Sequence, residues 1–257
     1  MEQLTDNTVD VLNVRFDLIA EQVVLETIER WRQAGQRRYI VISNPHSVLT
    51  CRRDPQMYRA TNEADLVLPD GVGIILAARL LNYTHNGRIT GPYLMLKLCD
   101  WGRTHGYRHY FYGGGPGTAE RLTARLTQAY PGLMIAGTYC PPFRKVTTDE
   151  DEGIVETINA AAPDVVWVGL GAPRQEKWMR DHIGRVNATV MIGVGAAFDY
   201  HAGNVPWSPQ WIRNLGLEWA YRLAHEPRRL WRRNLDSPLF LVKVMGQRFS
   251  RMFTLRH

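Results

Sequence analysis

The chain has 257 residues, of which 45% are hydrophobic, and a formal charge of +6; this is ample for a buried core and unlike an intrinsically disordered chain. Its three cysteines, Cys51, Cys99 and Cys140, are odd in number and far apart, which argues against a disulfide framework or a C-x-x-C metal site and reads as reduced thiols. The polar, acidic start "MEQLTDNTVDVLNV" is unlike a secretory signal, so a cytoplasmic location is expected.

Apolar runs rich in β-branched residues recur at Val9–Val14, Arg38–Ser43, Asp65–Pro69, Arg108–Gly113, Leu133–Gly137, Asp164–Gly169 and Thr189–Gly195. Helix-length segments separate most of them. "DLIAEQVVLETIERWRQAG" predicts a helix with Asp17 as N-cap and Gly35 at its C-terminus, and "GTAERLTARLTQAYPG" one that stops at Pro131-Gly132. Strands alternating with helices predict an α/β, Rossmann-like fold: a mainly parallel sheet with helices on both faces. In such a sheet, ligands bind beyond the carboxyl ends of the strands. The sequence contains no repeat and no low-complexity linker.

Beyond Pro206 the pattern turns wholly helical, which divides the chain into an α/β core, residues 1–206, and a helical appendage, residues 207–257. From Trp207 onward there are ten Lys or Arg against three Asp or Glu, so the basic charge belongs to the appendage, together with four of the eight tryptophans. Ser208-Pro209 is a cap for a helix carrying Trp211, Leu215 and Trp219, which Pro227 should end or restart. On a helical projection, Leu241, Val242, Met245, Phe249, Met252 and Phe253 share one face, with Lys243, Gln247 and Arg251 roughly opposite. That stretch is too short and too charged to span a bilayer, which needs about 20 apolar residues. Basic residues interleaved with aromatics suit an anionic membrane surface. The same pattern also fits packing on the chain's own core or on a partner subunit, so a homo-oligomer is left open.

Several strand-end loops carry polar groups suited to chemistry. Asp70 in "PDGVGI" is placed to act as a general base, although an Asp-Gly pair alone is often just a turn. Arg88 in "GRITG" suits a diphosphate. In "VWVGLGAPRQEKWM", glycines between a strand and a helix allow backbone to approach an anionic or polar small molecule. "YGGGPGTAE" resembles a phosphate-cradling loop, yet neither it nor "GVGAAF" completes a G-x-G-x-x-G fingerprint, and no ribose-binding acid follows. A dinucleotide cofactor is therefore disfavoured. Asp149-x-Asp151 has the form of a metal motif but falls where a helix should begin, and reads as structural. The eight histidines are scattered and no G-x-S-x-G is present, so no nucleophilic triad emerges. His46 and His201 lie beside loops that could line a site. The appendage matches no recognised nucleic-acid module, and nucleic acid is not expected as a partner.

Taken in order, "SNPHSV", "LPDGVGI", "RITGPYLM", "FYGGGPGTAE", "YCPPFR", "VGLGAPRQEKW" and "GVGAAFDYHAGNVPWSPQW" resemble the WecG/TagA/CpsF glycosyltransferase family, glycosyltransferase family 26, from about Val9 to Arg233. The resemblance implies inverting transfer of a sugar from a UDP-sugar to a polyprenyl-diphosphate-linked saccharide, at the inner face of the cytoplasmic membrane, in exopolysaccharide or cell-wall polymer synthesis. It implies no cofactor and no metal, and a peripheral membrane location. Carried over by position, it makes Asp70 the catalytic base with Arg88 beside the departing diphosphate. Asn44, Gln175 and Asp199 would bind the donor, Asp199 at the uracil ring. Ser43, Gly113, Gly114 and Gly171 join this nucleotide-binding set, and Arg222 represents tail arginines thought to complete the site, among Arg213, Arg228, Arg229, Arg232 and Arg233. Two rival readings stand beside it: a nucleotide-dependent oxidoreductase or epimerase, which would need the glycine fingerprint both loops lack, and a non-catalytic membrane-associated protein that binds nucleotide sugar.

Overall fold

A computed structural model describes residues 8–84 and 88–254, without the side chains of 229–230, 232–235 and 252–254. In chain order the elements begin with a hairpin, β1 (Thr8–Val11) and β2 (Val14–Asp17), followed by α1 (Glu21–Gln33), β3 (Arg38–Ser43), α2 (Pro45–Cys51), α3 (Pro55–Asn62) and β4 (Leu66–Pro69). Next come α4 (Val72–Leu80), α5 (Gly91–Thr104), β5 (Arg108–Gly113), α6 (Thr118–Ala129), β6 (Met134–Tyr139) and α7 (Thr148–Ala160). The remaining elements are β7 (Val165–Gly169), α8 (Arg174–His182), β8 (Val190–Gly193), α9 (Ala197–Ala202), α10 (Gln210–Asn214), α11 (Glu218–His225) and α12 (Pro227–Thr254).

Six strands form one parallel sheet in the order β4-β3-β8-β7-β5-β6. Alternate residues of each strand enter opposite cores, as the two-residue period of a strand demands. Val41, Tyr110, Val166 and Met191 join one apolar cluster with residues of α2, α4, α7 and α12. Ile40, Phe111, Trp167 and Ile192 join the other, with α1, α5, α6 and α9. The expected α/β class with helices on both faces is what the chain adopts.

The structure corrects several local expectations. Val9–Val14 is not a strand of the main sheet: Leu12 and Asn13 take positive φ angles of 54° and 70° and fold the segment into an antiparallel hairpin. Asp17 does not cap α1. It ends β2, and its carboxylate accepts the Val67 backbone N–H at 2.7 Å, while Ala20 precedes α1 without a side-chain cap. Burial pushes the Asp17 carboxyl above its ordinary pKa. Asp149 and Asp151 do lie in the first turn of α7, whose cap is a Thr147–Glu150 capping box, and Asp151 is engaged by His182 (2.9 Å) and Arg185 (2.7 Å).

In the appendage, Trp211, Leu215 and Trp219 do not share one helix, because the chain breaks between α10 and α11 at Gly216, whose φ is +74°. Ser208 is buried but does not cap α10. Pro227 restarts the chain as α12. On α12 the projected apolar face is divided: Leu241 packs against the core cluster, and the polar positions opposite are not simply left to solvent. Phe240 and Val244 are buried in the core beneath the helix, and Gln247 exchanges hydrogen bonds with the hairpin, accepting the Leu12 N–H (2.9 Å) and donating to the Asp10 carbonyl (3.0 Å). Arg251 also donates to that carbonyl, at 3.2 Å. Val242, Met245 and Phe249, with Leu239, are left exposed. Met252 and Phe253, placed on the same face by the projection, lie outside the described side chains.

Candidate active site

The carboxyl ends of all six parallel strands meet one cavity of about 680 Å³. β3 delivers Asn44, β4 Asp70, β5 Gly114 and Gly115, β6 the Pro141–Phe143 loop, β7 Gly169 to Gln175, and β8 Gly195 and Asp199. A neighbouring groove of about 480 Å³ shares Asn44, His46, Asp70, Glu218 and Arg222 with it. That groove adds apolar walls from Pro45, Val72, Leu76, Trp219, Pro238 and Leu241, together with Arg88. A polar chamber thus opens into an apolar one, with Asp70 at the junction.

Local hydrogen bonds fix the loop geometry. The Asp70 N–H donates to the Ser43 carbonyl (2.9 Å), which continues the β3–β4 ladder one step past the strand and holds Asp70 beside the start of α2. Asn44 caps α2 by accepting the Ser47 N–H at 3.1 Å. Its side chain is therefore partly committed to structure. Gln175 is buried at the start of α8; it accepts the Gly171 N–H (3.2 Å) and donates to Glu176 (3.0 Å), which ties the glycine turn to the helix. Gly171 itself takes a φ of +74°, a region that suits glycine. Asp199 accepts from Asn204 at 3.0 Å and still lines the cavity.

Asn44, Asp70, Gly114, Gly171, Gln175, Asp199 and Arg222 all line the large cavity, as the motifs suggested. Three other residues stand apart from it. Gly113 is packed against β7, where an added Cβ would sit 2.6 Å from the Gly169 carbonyl carbon, and Ser43 is buried below the cavity floor with its Oγ unpartnered among the described residues. Arg88 lies in the apolar groove and donates to the Arg213 carbonyl (3.2 Å). Among the other tail arginines, Arg213 is structural: it donates to the Ser208 carbonyl and stacks over Trp207 at 3.9 Å. Arg228 is exposed, and the side chains of Arg229, Arg232 and Arg233 lie outside the description.

Arg222 of α11 reaches into both chambers with its guanidinium 5.5 Å from the Tyr200 ring centre. Its Nε and the Tyr200 hydroxyl are buried without a hydrogen-bond partner among the described residues, whereas buried polar atoms are as a rule hydrogen-bonded to protein or to ordered water. Burial pushes the Tyr200 phenol up to about 12, so it is a donor at neutral pH. His201, in contrast, is taken up by structure, hydrogen-bonded to the Pro92 carbonyl (3.0 Å) and edge-on to Trp207, and burial lowers its pKa.

Two site residues escaped the motifs. Glu218, at the start of α11, lines both chambers, and its pKa is raised first by burial and then by the negative charge of Asp70, against the pull of Arg88, Arg222 and Arg213. Asp236 of α12 is 9% exposed and meets His46 Nδ1 at 2.6 Å. Both acids come from the appendage, where charge counting points to a surface function.

With two chambers, a carboxylate at their junction and cations beside it, the site can hold a polar anionic ligand against an amphiphilic one. Comparison with known proteins agrees in kind. Residues 9–253 match the family described as "Glycosyl transferase WecG/TagA/CpsF family". A Bacillus spizizenii protein named N-acetylglucosaminyldiphosphoundecaprenol N-acetyl-beta-D-mannosaminyltransferase is 32% identical over 80% of this chain and 78% of its own length. Proteins of the same name from Bacillus subtilis (30%, over 79% of this chain and 77% of its own) and Staphylococcus aureus strain MW2 (29%, over 92% and 91%) are similar. The chain belongs to the WecG/TagA/CpsF family and is a glycosyltransferase.

Proposed function

We propose that this enzyme moves a sugar from a UDP-sugar to a saccharide carried on a polyprenyl diphosphate, by a single inverting displacement. The observation that carries the reading is the position of Asp70 where the polar chamber meets the apolar groove. The relatives named above transfer N-acetylmannosamine to an N-acetylglucosaminyl-diphospho-undecaprenol; an acceptor of that class has an apolar chain for the groove and a diphosphate for Arg88 and Arg222. The glycine-rich strand ends suit the donor's diphosphate, and Asp199 suits the N–H edge of uracil.

In this reading Asp70 takes the proton of an acceptor hydroxyl, the oxygen bonds to the anomeric carbon from the face opposite the nucleotide, and the bond from that carbon to the phosphate oxygen breaks. UDP departs with its new charge met by Arg222, which lines both chambers, and by backbone N–H groups of the glycine loops, while Arg88, which lines the groove and not the large cavity, is left to the acceptor's diphosphate. Residues 207–257 act as an appendage that closes the site and rests on an anionic membrane surface. Among the described residues no helix is long and apolar enough to cross a membrane, whereas the exposed Val242, Met245 and Phe249 of α12 offer an apolar face to the bilayer interface.

Incubation of the protein in EDTA with a panel of UDP-sugars and a short-chain polyprenyl-diphosphate-linked N-acetylglucosamine tests the reading. Release of UDP with a matching gain in acceptor mass, reduced about 10²- to 10⁴-fold in Asp70→Asn, is expected. Transfer that survives the substitution at full rate would remove Asp70 from the chemistry, and absence of transfer from every donor would remove the UDP-sugar reading.

A further inference from the structure

His46 is the second residue of α2 and lines both chambers beside Asp70. Its Nδ1 lies 2.6 Å from Oδ2 of Asp236, which comes from α12 at the far end of the chain and is itself nearly buried; Arg53 approaches the other carboxylate oxygen at 3.5 Å. A carboxylate this close keeps the ring proton on Nδ1, as in other carboxylate–histidine pairs. With Nδ1 engaged by Asp236, the Nε2 edge of the ring is the one left for a ligand.

The composition of the surrounding wall shows what that edge is for. Arg88 and Arg222 supply cations for a diphosphate, while Asp70 and Glu218 already bring two carboxyl groups to the same junction. A saccharide in that junction carries several hydroxyls, each needing an acceptor. A third carboxylate would add repulsion to a pair in which Asp70 already raises the Glu218 pKa, whereas an imidazole adds a polar ring edge without a further negative charge.

We propose that His46 is an acceptor-side residue of the transfer reaction, its Nε2 accepting a hydrogen bond from a hydroxyl of the acceptor saccharide, and that Asp236 is the positioning residue that fixes the ring. The inference rests on the lipid-linked acceptor proposed above and adds to it that α12 takes part in acceptor recognition. Docking of the appendage therefore builds the acceptor half of the site as well as covering it.

The test is equilibrium binding of two lipids, farnesyl diphosphate and N-acetylglucosaminyl-diphospho-farnesol, with UDP as a control for an intact fold. Wild type is compared with His46→Ala, His46→Gln and Asp236→Asn, and the His46 ring is followed by ¹⁵N NMR. His46→Ala should weaken the sugar-bearing lipid about tenfold, the loss of one hydrogen bond to a desolvated group, and leave farnesyl diphosphate and UDP within about twofold. His46→Gln, which keeps an acceptor oxygen, should recover part of the loss. Asp236→Asn should weaken the same lipid and shift the ring away from the Nδ1–H tautomer. Equal losses for both lipids, unchanged affinity of His46→Ala for the sugar-bearing lipid, or no binding of that lipid by wild type would each overturn the inference. Binding without transfer from any UDP-sugar would overturn the donor reading alone.

Discussion

Glu218 and Asp70 face the same two chambers from opposite ends of the chain, one on the first turn of α11 and the other just past β4. Burial, followed by the charge of Asp70, holds the Glu218 carboxyl above its ordinary pKa of 4.5. A carboxyl whose folded pKa is raised contributes fully to stability below its unfolded pKa, and that contribution is lost as pH rises through the raised value. The enzyme at neutral pH therefore carries a cost for keeping this acid in place. Glu218→Gln should raise the Tm at neutral pH by about 2–4 °C, the response of a chain this size to ~1 kcal/mol, with the two curves converging as pH falls below about 4. Sugar transfer should fall in the same variant. A Tm difference that is equally large in acid would mean the gain has another source.

Gly113 and Gly169 are paired in register across β5 and β7. A Cβ on Gly113 would lie 2.6 Å from the Gly169 carbonyl carbon, with a φ of +123° that side chains rarely adopt; one on Gly169 would lie 2.8 Å from the Phe198 ring. The chamber floor depends on this three-way contact between two strands and α9. Gly113→Ala should cost about 3 kcal/mol or more, from overpacking and backbone strain together. Denaturant unfolding would register this as a lower midpoint, and an unchanged midpoint would show that β7 yields easily there.

Part of this was legible in the sequence, for a physical reason. The strands of a doubly covered parallel sheet are continuous apolar runs and ligand loops follow their carboxyl ends, so Asp70 and the glycine turns at Gly114 and Gly171 stand out by position, whereas Asn44, Gln175 and Asp199 are marked by the family resemblance; all six line the cavity. Features decided by distant partners were not legible. Asp17 looks like a helix cap until the Val67 N–H is placed beside it. The Leu12-Asn13 turn lacks the Asn-Gly signature of a two-residue hairpin. On α12, the periodicity marks an apolar stripe without saying what it meets, and the backbone of Asp10 and Leu12 offers hydrogen bonds that draw Gln247 and Arg251 inward. Glu218 and Asp236 look like ordinary helix-surface acids until α11 and α12 are folded against the site.

Asp199 lines the larger chamber with one oxygen already accepting from Asn204, which restrains the carboxylate and leaves acceptor capacity for the base edge of the proposed donor. A hydrogen bond to a charged group contributes about 1.5–3 kcal/mol, so Asp199→Ala should weaken UDP binding by roughly 10- to 150-fold. Affinity for pyrophosphate, which has no base, should hardly change. Titration calorimetry with both ligands separates the cases: parallel losses would mean that the substitution has disturbed the chamber as a whole.

The appendage is best tested by point substitution, because its helices are part of the packed structure. Phe240 and Val244 of α12 are fully buried in the same cluster as α2 and α4, so deletion of residues 207–257 would open that core and confuse folding with function. Val242, Met245 and Phe249 stand on the solvent side, with Phe249 60% exposed. Replacing one of them removes little that the fold uses. If this face rests in the interface of an anionic bilayer, Phe249→Glu exchanges a buried aromatic for a charge repelled by the lipid headgroups. Co-sedimentation with phosphatidylglycerol vesicles should fall by about tenfold or more, further in the Met245→Glu/Phe249→Glu pair, while Tm and UDP affinity hold. Transfer to a long-chain acceptor in vesicles should fall with it, and transfer to a short-chain soluble acceptor should not. Vesicle binding that persists in the double variant would assign the exposed stripe to a protein partner or a second copy of the chain.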